Sequence, residues 1–406
     1  MNSRPTVLLL AACQATFVTG TSLIVAVSAL VGVSLAPDPR LATLPAGVLA
    51  LFAMATTMPA SLLMRRIGRQ NGFRLGVVAG AIGASTSALA IARHDFALFC
   101  AGAAGLGVLA GAAGFYRFAA ADAVSAVDRP RAISLVLAGG LVAAFLGPSL
   151  AAWSRTAVAG LDFVGCYIAL ALLQIVSLTL LGFVDIPRPP LEETAGGGRP
   201  LTALVRQPRY AIAVFAAVVA YATMTALMSA TPLAMGARGF AFGDTATVIQ
   251  WHAVGMFAPS FFSGRLVQRY GTLPMMAAGC LCLVLSAAAG LAGESAWFFR
   301  LGLAALGVGW NFLFVAASTL LTRTYSPGEK ARAQGLNDLL VFATVTVAAG
   351  FSGVLHEVIG WRVMNLASLV PVVALLLLTT VAHQRNRASS SNEPGGAEPE
   401  GQQPTD

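Results

Sequence analysis

Charge is scarce in this chain. Asp, Glu, Lys and Arg make up 10% of its 406 residues, and 57% are hydrophobic. A soluble domain carries roughly 25% charged residues, so a soluble fold is excluded and a polytopic membrane protein is expected. Acids are missing from the middle third of every apolar span. Proton-coupled carriers usually keep one there, so a standard proton-coupling acid is not expected. Asp122, five residues past Arg117, Glu294 and Asp338 fall near span ends and read as cytoplasmic gate or helix-end contacts, with a proton-coupling role as the alternative. The five cysteines, Cys13, Cys100, Cys166, Cys280 and Cys282, all lie inside spans, which excludes a secreted disulfide framework. There is no nucleotide-binding loop and no nucleophile–base pair at a telling spacing, so no enzyme reading stands. Short alternating segments are also missing, which excludes a β-barrel.

What is present is a series of long apolar runs. Twelve are read, at about 7–33, 41–64, 73–92, 95–116, 131–153, 161–184, 210–236, 244–266, 273–293, 296–321, 335–356 and 361–382. Each is near the ~20 residues that cross a bilayer as a helix. The predicted fold is therefore all-α, with twelve transmembrane helices. All but six of the 25 basic residues fall at the termini or in even-numbered loops; the exceptions are Arg40, Arg93, Arg155, Arg238, Arg300 and Arg362. The positive-inside rule then makes both termini cytoplasmic, in a cytoplasmic (inner) membrane. The first span runs past any plausible cleavage site and reads as an anchor. The net charge of +8 follows this topology, and no nucleic-acid partner is expected. Residues 185–208 are polar, with Pro187, Pro189, Pro190 and Gly196–Gly198, and read as a cytoplasmic linker. It separates bundles at 1–184 and 209–383. The tail 384–406 is rich in Ser, Glu, Gly and Pro and is expected to be disordered.

An internal repeat supports two related bundles. Between the second and third spans the chain reads Ser61-Leu-Leu-Met-Arg65-Arg66-Ile-Gly68-Arg69. Between the eighth and ninth it reads Gly264-Arg-Leu-Val-Gln268-Arg269-Tyr-Gly271-Thr272. Arg66 and Arg269 are 203 residues apart, as are Gly68 and Gly271. A tight turn at Gly, flanked by Arg that can meet helix carbonyl ends, is the physical content. These segments resemble the loop signature of the major facilitator superfamily, Gly-x-Leu-x-Asp-Arg-x-Gly-Arg. Arg65 and Gln268 stand where that signature has Asp, and Ser61 where it has its first Gly. The resemblance implies two pseudo-symmetric six-helix bundles that rock about a central site. Arg66, Gly68, Arg69, Gly264, Arg269 and Gly271 would then form the conformational loop signature. Gly147-Pro148 in the fifth span matches part of a signature associated with antiporters.

The densest potential chemistry lies in 221–256. Met224 and Met228 are spaced i, i+4 on the seventh span, and His252 and Met256 on the eighth. That spacing puts each pair on one helix face. At ~1.5 Å per residue, both pairs lie roughly 12–20 Å below the outer helix ends, near the midplane. Three thioethers and an imidazole suit a soft ion, Cu(I) before others. His252 is the one histidine of four well inside a span, where an imidazole is costly unless partnered. The double pair also resembles the CcoA-like (CalT) branch of bacterial copper importers. That resemblance implies copper uptake, with release to a copper chaperone or thiol acceptor and supply to haem–copper oxidase assembly. Copper would be the transported substrate, and no cofactor is expected. Two other readings stay open: a carrier, efflux or uptake, of a small organic solute whose cavity Met and His merely line, and a membrane metal sensor that binds without turnover.

Overall fold

A computed structural model describes residues 4–38, 41, 44–186 and 198–391. The core of the linker and the end of the tail therefore lie outside the described residues. In chain order the helices of the first half are α1 (Arg4–Leu35), α2 (Leu44–Ile67), α3 (Arg69–Ala92), α4 (Phe96–Ala113), α5 (Tyr116–Asp122), α6 (Arg129–Ser154) and α7 (Val164–Gly182). The short α8 (Leu201–Val205) ends the linker. It leads to α9 (Pro208–Gly236), α10 (Phe242–Phe257), α11 (Ser260–Tyr270), α12 (Thr272–Ala292), α13 (Ala296–Leu321) and α14 (Lys330–Ser391). Long α14 is broken at Gly360, where φ is 76°, and holds the last two spans.

Among the described residues, 11 helical segments are long and apolar enough to cross a membrane. The remaining expected span, the eighth at 244–266, is divided at Ala258-Pro259 into α10 and α11. Proline removes a backbone donor, so one helical bond is lost there. The dihedrals remain right-handed helical, φ −61° and ψ −41° at Ala258 and φ −60° and ψ −19° at Pro259. The two pieces thus run on as one kinked rod. The fourth span extends beyond its predicted end, through α5 to Asp122.

Packing follows two groups. α1, α2, α3, α4, α6 and α7 pack among themselves, as do α9, α10, α12, α13 and α14. Small residues let backbones close in: a Cβ on Gly307 of α13 would lie 2.4 Å from the His252 carbonyl oxygen. The sequence repeat reappears in the backbone. Gly68 has φ 88° and ψ 155°, and Gly271 has φ 90° and ψ 170°. Both sit in a region essentially reserved for glycine, and both turn the chain between consecutive spans. The bundles meet where α2 packs on α14, and where α6 packs on α10, α11 and α13.

Candidate functional site

A cavity of about 540 Å³ lies between the bundles. Its floor is Arg117 and Asp338, 7% and 2% exposed. Its walls continue along α1 from Gln14 to Ser28 and along the first turns of α2. Val25 is 21 residues beyond Arg4, ~31 Å along the helix. Thr21, Val25 and Ala46 are exposed, so the cavity opens at the end away from the arginine-bearing loops.

The arginine-rich end is closed by polar contacts between bundles. Arg117 donates to the Asp338 carboxylate, and Asn337 donates to the same oxygen at 2.7 Å. The Arg117 guanidinium lies over the rings of Phe118 at 4.3 Å and Phe314 at 4.5 Å, which shield it from water. One layer further out, Arg69 reaches Asp122 at 2.8 Å and donates to Gln334 at 2.7 Å. Lys330 also pairs with Asp122. Ser61 donates to the Ala331 carbonyl at 2.8 Å, Arg129 to the Thr322 carbonyl at 3.3 Å, and Gln268 to the Val127 carbonyl. Ser134 donates to the Ser260 carbonyl, and the Gly264 amide donates to Ser134 at 3.1 Å. The linker is pinned to the same end. Arg199 grips both Glu329 oxygens, at 2.8 and 2.9 Å, and holds that carboxyl down to about 2.

The signature residues therefore divide. Arg69 joins the bundles, whereas the position 203 residues on is Thr272, which carries no charge. Arg66 is exposed, and exposed Arg269 stacks over Tyr270 at 5.3 Å. Gly68 and Gly271 make the turns, and Gly264 allows the α6 backbone to touch α11.

The cavity wall from the second bundle is aromatic. Tyr221 meets Trp310 edge-on at 5.3 Å and Phe314 at 5.1 Å; Trp310 stacks on Phe314 at 5.1 Å with 23° between planes, and Phe257 abuts Trp310 at 6.2 Å. The first bundle answers with small apolar residues and Gln14, Thr21, Ser28 and Gln174. Four buried polar atoms on cavity-lining residues have no hydrogen-bond partner among the described residues. Trp310 Nε1 and Arg117 Nε are donors; Gln174 Oε1 and Asp338 Oδ2 are acceptors.

Of the four residues expected to hold an ion, only Met256 lines this cavity among the described residues. Met224 is 8% exposed within the core, and Met228 is half-buried against it. His252 is fully buried, and its Nδ1–H donates to the Leu303 carbonyl at 2.9 Å, with Nε2 unpartnered. The imidazole therefore addresses α13 and ties α10 to it. The sequence reading missed Gln174, Trp310 and Phe314. A lone Gln within the sixth span and a Trp-Asn pair within the tenth were the available signals, since polar side chains at membrane depth seldom stand idle.

The sequence profile described as "Major Facilitator Superfamily" matches residues 8–249 and again 213–404. A protein of Brucella anthropi named "Riboflavin transporter RfnT" is 36% identical over 391 residues, covering 96% of this chain and 98% of that protein. Among solved structures, the human organic anion transporter MFSD10 superposes with TM-score 0.75 at 15% identity, over 93% of this chain and 100% of that one. A bacterial homologue of the iron transporter ferroportin, in an outward-facing state, gives TM-score 0.69 at 14% identity, over 94% and 100%. These two likenesses concern the fold alone. The profile fits both halves and the Brucella relative aligns almost end to end, so this chain belongs to the major facilitator superfamily, a multi-pass membrane transporter and not an enzyme.

Proposed function

We propose that this protein takes up a planar heteroaromatic solute of the flavin class by alternating access. The observation that carries the reading is the 36% identity, along nearly the whole chain, to a protein named as a riboflavin transporter. The cavity chemistry supports it. An aromatic wall offers stacking to a flat ring, and the facing wall carries Gln14, Thr21, Ser28 and Gln174 as polar partners for the edge of such a ring. Its volume of about 540 Å³ falls within the range of small-molecule sites. The arginine-rich end is the cytoplasmic one by the positive-inside rule. The cavity then faces outward, and the Arg117–Asp338 pair is the inner gate.

This reading replaces copper import. The thioether and imidazole set does not converge on the cavity, and the full-length relative carries an organic substrate in its name. In the proposed scheme Met256 is cavity wall, Met224 and Met228 are packing, and His252 is a strut between α10 and α13. Purified protein in liposomes, given radiolabelled riboflavin or Cu(I) in parallel, tests both. Saturable riboflavin uptake that falls on Trp310→Ala, without copper uptake, is expected. Copper uptake that needs His252, with no flavin uptake, would overturn the proposal.

A further inference from the structure

A second cavity of about 440 Å³ lies on the flank of the arginine-rich end, where α1 and α6 of one bundle meet α11 of the other. Its construction repeats on each helix. α1 gives Arg4 and Leu8, α6 gives Arg131 and Leu135, and α11 gives Arg265 and Phe261. Each pair is spaced by four residues and so shares a helix face. Helices α1 and α6 start at this end and α11 finishes there. In all three the arginine therefore stands at the rim, and the apolar partner lies one turn deeper. All three arginines are exposed; Leu8 and Phe261 are 57% and 56% exposed. The one acid on the lining, Asp128, lies 3.9 Å from Arg131 and leaves the rim positive. The two bundles touch here. A Cβ on Gly264 would stand 2.5 Å from the Pro130 carbonyl oxygen and 2.8 Å from the Arg131 Cα. Arg131 and Arg265 thus face one groove from opposite bundles.

We propose that this groove binds an anionic phospholipid, its phosphate between Arg131, Arg265 and Arg4 and its acyl chains along Leu8, Leu135 and Phe261. A cationic rim above an apolar trough is complementary to an amphipathic anion. A soluble phosphate would leave the trough empty, whereas a zwitterionic lipid would fill the trough and pair weakly with the rim. Because the rim spans both bundles, the bound lipid bridges them and favours closure of this end.

Native mass spectrometry of the full-length protein tests this, with phosphatidylglycerol and phosphatidylcholine of equal chain length as probes. Preferential retention of phosphatidylglycerol is expected. Arg131→Gln/Arg265→Gln should lower it about thirtyfold, since each arginine near the interface counts for a factor of about five. Arg131→Lys/Arg265→Lys should restore most of it, and Arg209→Gln, outside the groove, should leave it unchanged. If the double Gln variant does not fold, Arg4→Gln alone should cost about fivefold. Equal retention of the two lipids, indifference to these substitutions, or displacement by millimolar inorganic phosphate would each overturn the proposal. Closure has its own readout. A Ser61→Cys reporter should label more slowly in phosphatidylglycerol than in phosphatidylcholine vesicles, and equal rates would refute the bridging role.

Discussion

Removing Arg117 should open the arginine-rich end, and removing Asp338 as well should largely close it again. In Arg117→Gln the Asp338 carboxylate stays 2% exposed and loses its charge partner. Breaking one side of a buried pair costs about 3–5 kcal/mol, because the remaining charge is left uncompensated. That cost falls on the closed state alone, since opening this end brings water to Asp338. The equilibrium should therefore shift toward opening by a factor on the order of 10²–10³. In Arg117→Gln/Asp338→Asn no charge is stranded, and two amides can still bond across the interface. Ser61→Cys provides the assay: Ser61 is 4% exposed and bonded across the bundles to Ala331. In a background with half-buried Cys100 and Cys282 replaced by Ser, maleimide labelling should be slow with Arg117 and Asp338 intact. It should be on the order of a hundredfold faster in the single variant and near the starting rate in the double. A double variant that labels as fast as the single would refute the reasoning, because loss of contact rather than a stranded charge would then be the cause.

Other outcomes follow from the same geometry. Trp310→Ala removes the ring that stacks on Phe314 in the cavity wall, so riboflavin KM should rise about three- to tenfold, with kcat moving less; an aromatic stacking contact is worth about 0.5–1.5 kcal/mol. His252→Phe should lower thermal stability by about 1 kcal/mol through loss of the bond to Leu303 and leave copper accumulation at background. Gly68→Ala and Gly271→Ala should each cost about 1–3 kcal/mol, seen as a lower melting temperature, since both hold φ near 90°. Glu329, held down to about 2 by Arg199, stabilises the linker attachment above its ordinary value of 4.5, and that contribution is lost as pH falls from 4.5 to about 2. Limited digestion near the linker with an acid protease should speed up across that window, and Glu329→Gln should abolish the pH dependence.

The fold was legible because its causes are local. Twelve apolar runs, two Gly turns 203 residues apart and the distribution of arginines each follow from short stretches of chain. The site was legible only in part. The Met and His spacing places each pair one turn apart on its helix, but spacing along a helix does not say which neighbour each side chain meets. Packing turns His252 to α13, because Gly307 lets α10 and α13 close to backbone contact. Asp338 was set at a span end because hydropathy starts the eleventh span at 335. The helix begins at Lys330, which places the carboxylate ~12 Å along it, on the cavity floor. The aromatic wall draws on α9, α10 and α13, and such a gathering has no signature in linear sequence.

The asymmetry between bundles carries a further consequence for the cycle. Both halves share the Gly turn, yet the first supplies Arg69, Arg117 and Asp122 to the closed end, and the second supplies Lys330, Gln334 and Asp338. The closure therefore carries complementary polar groups beside its apolar packing. Such groups exchange their partners for water when the end opens, so each loss is largely repaid and the net gap between states stays small. An apolar seam of the same extent would lose its whole burial on opening and lock the carrier. The buried Arg117–Asp338 pair is the exception, since its groups are shielded by Phe118 and Phe314 and rehydrate only when the bundles part. It is also the one contact of this set that lines the cavity. In the proposed cycle a solute that reaches the floor and engages Arg117 or Asp338 competes for the groups that hold the gate shut. That scheme links substrate arrival to opening of the opposite end through one pair of side chains.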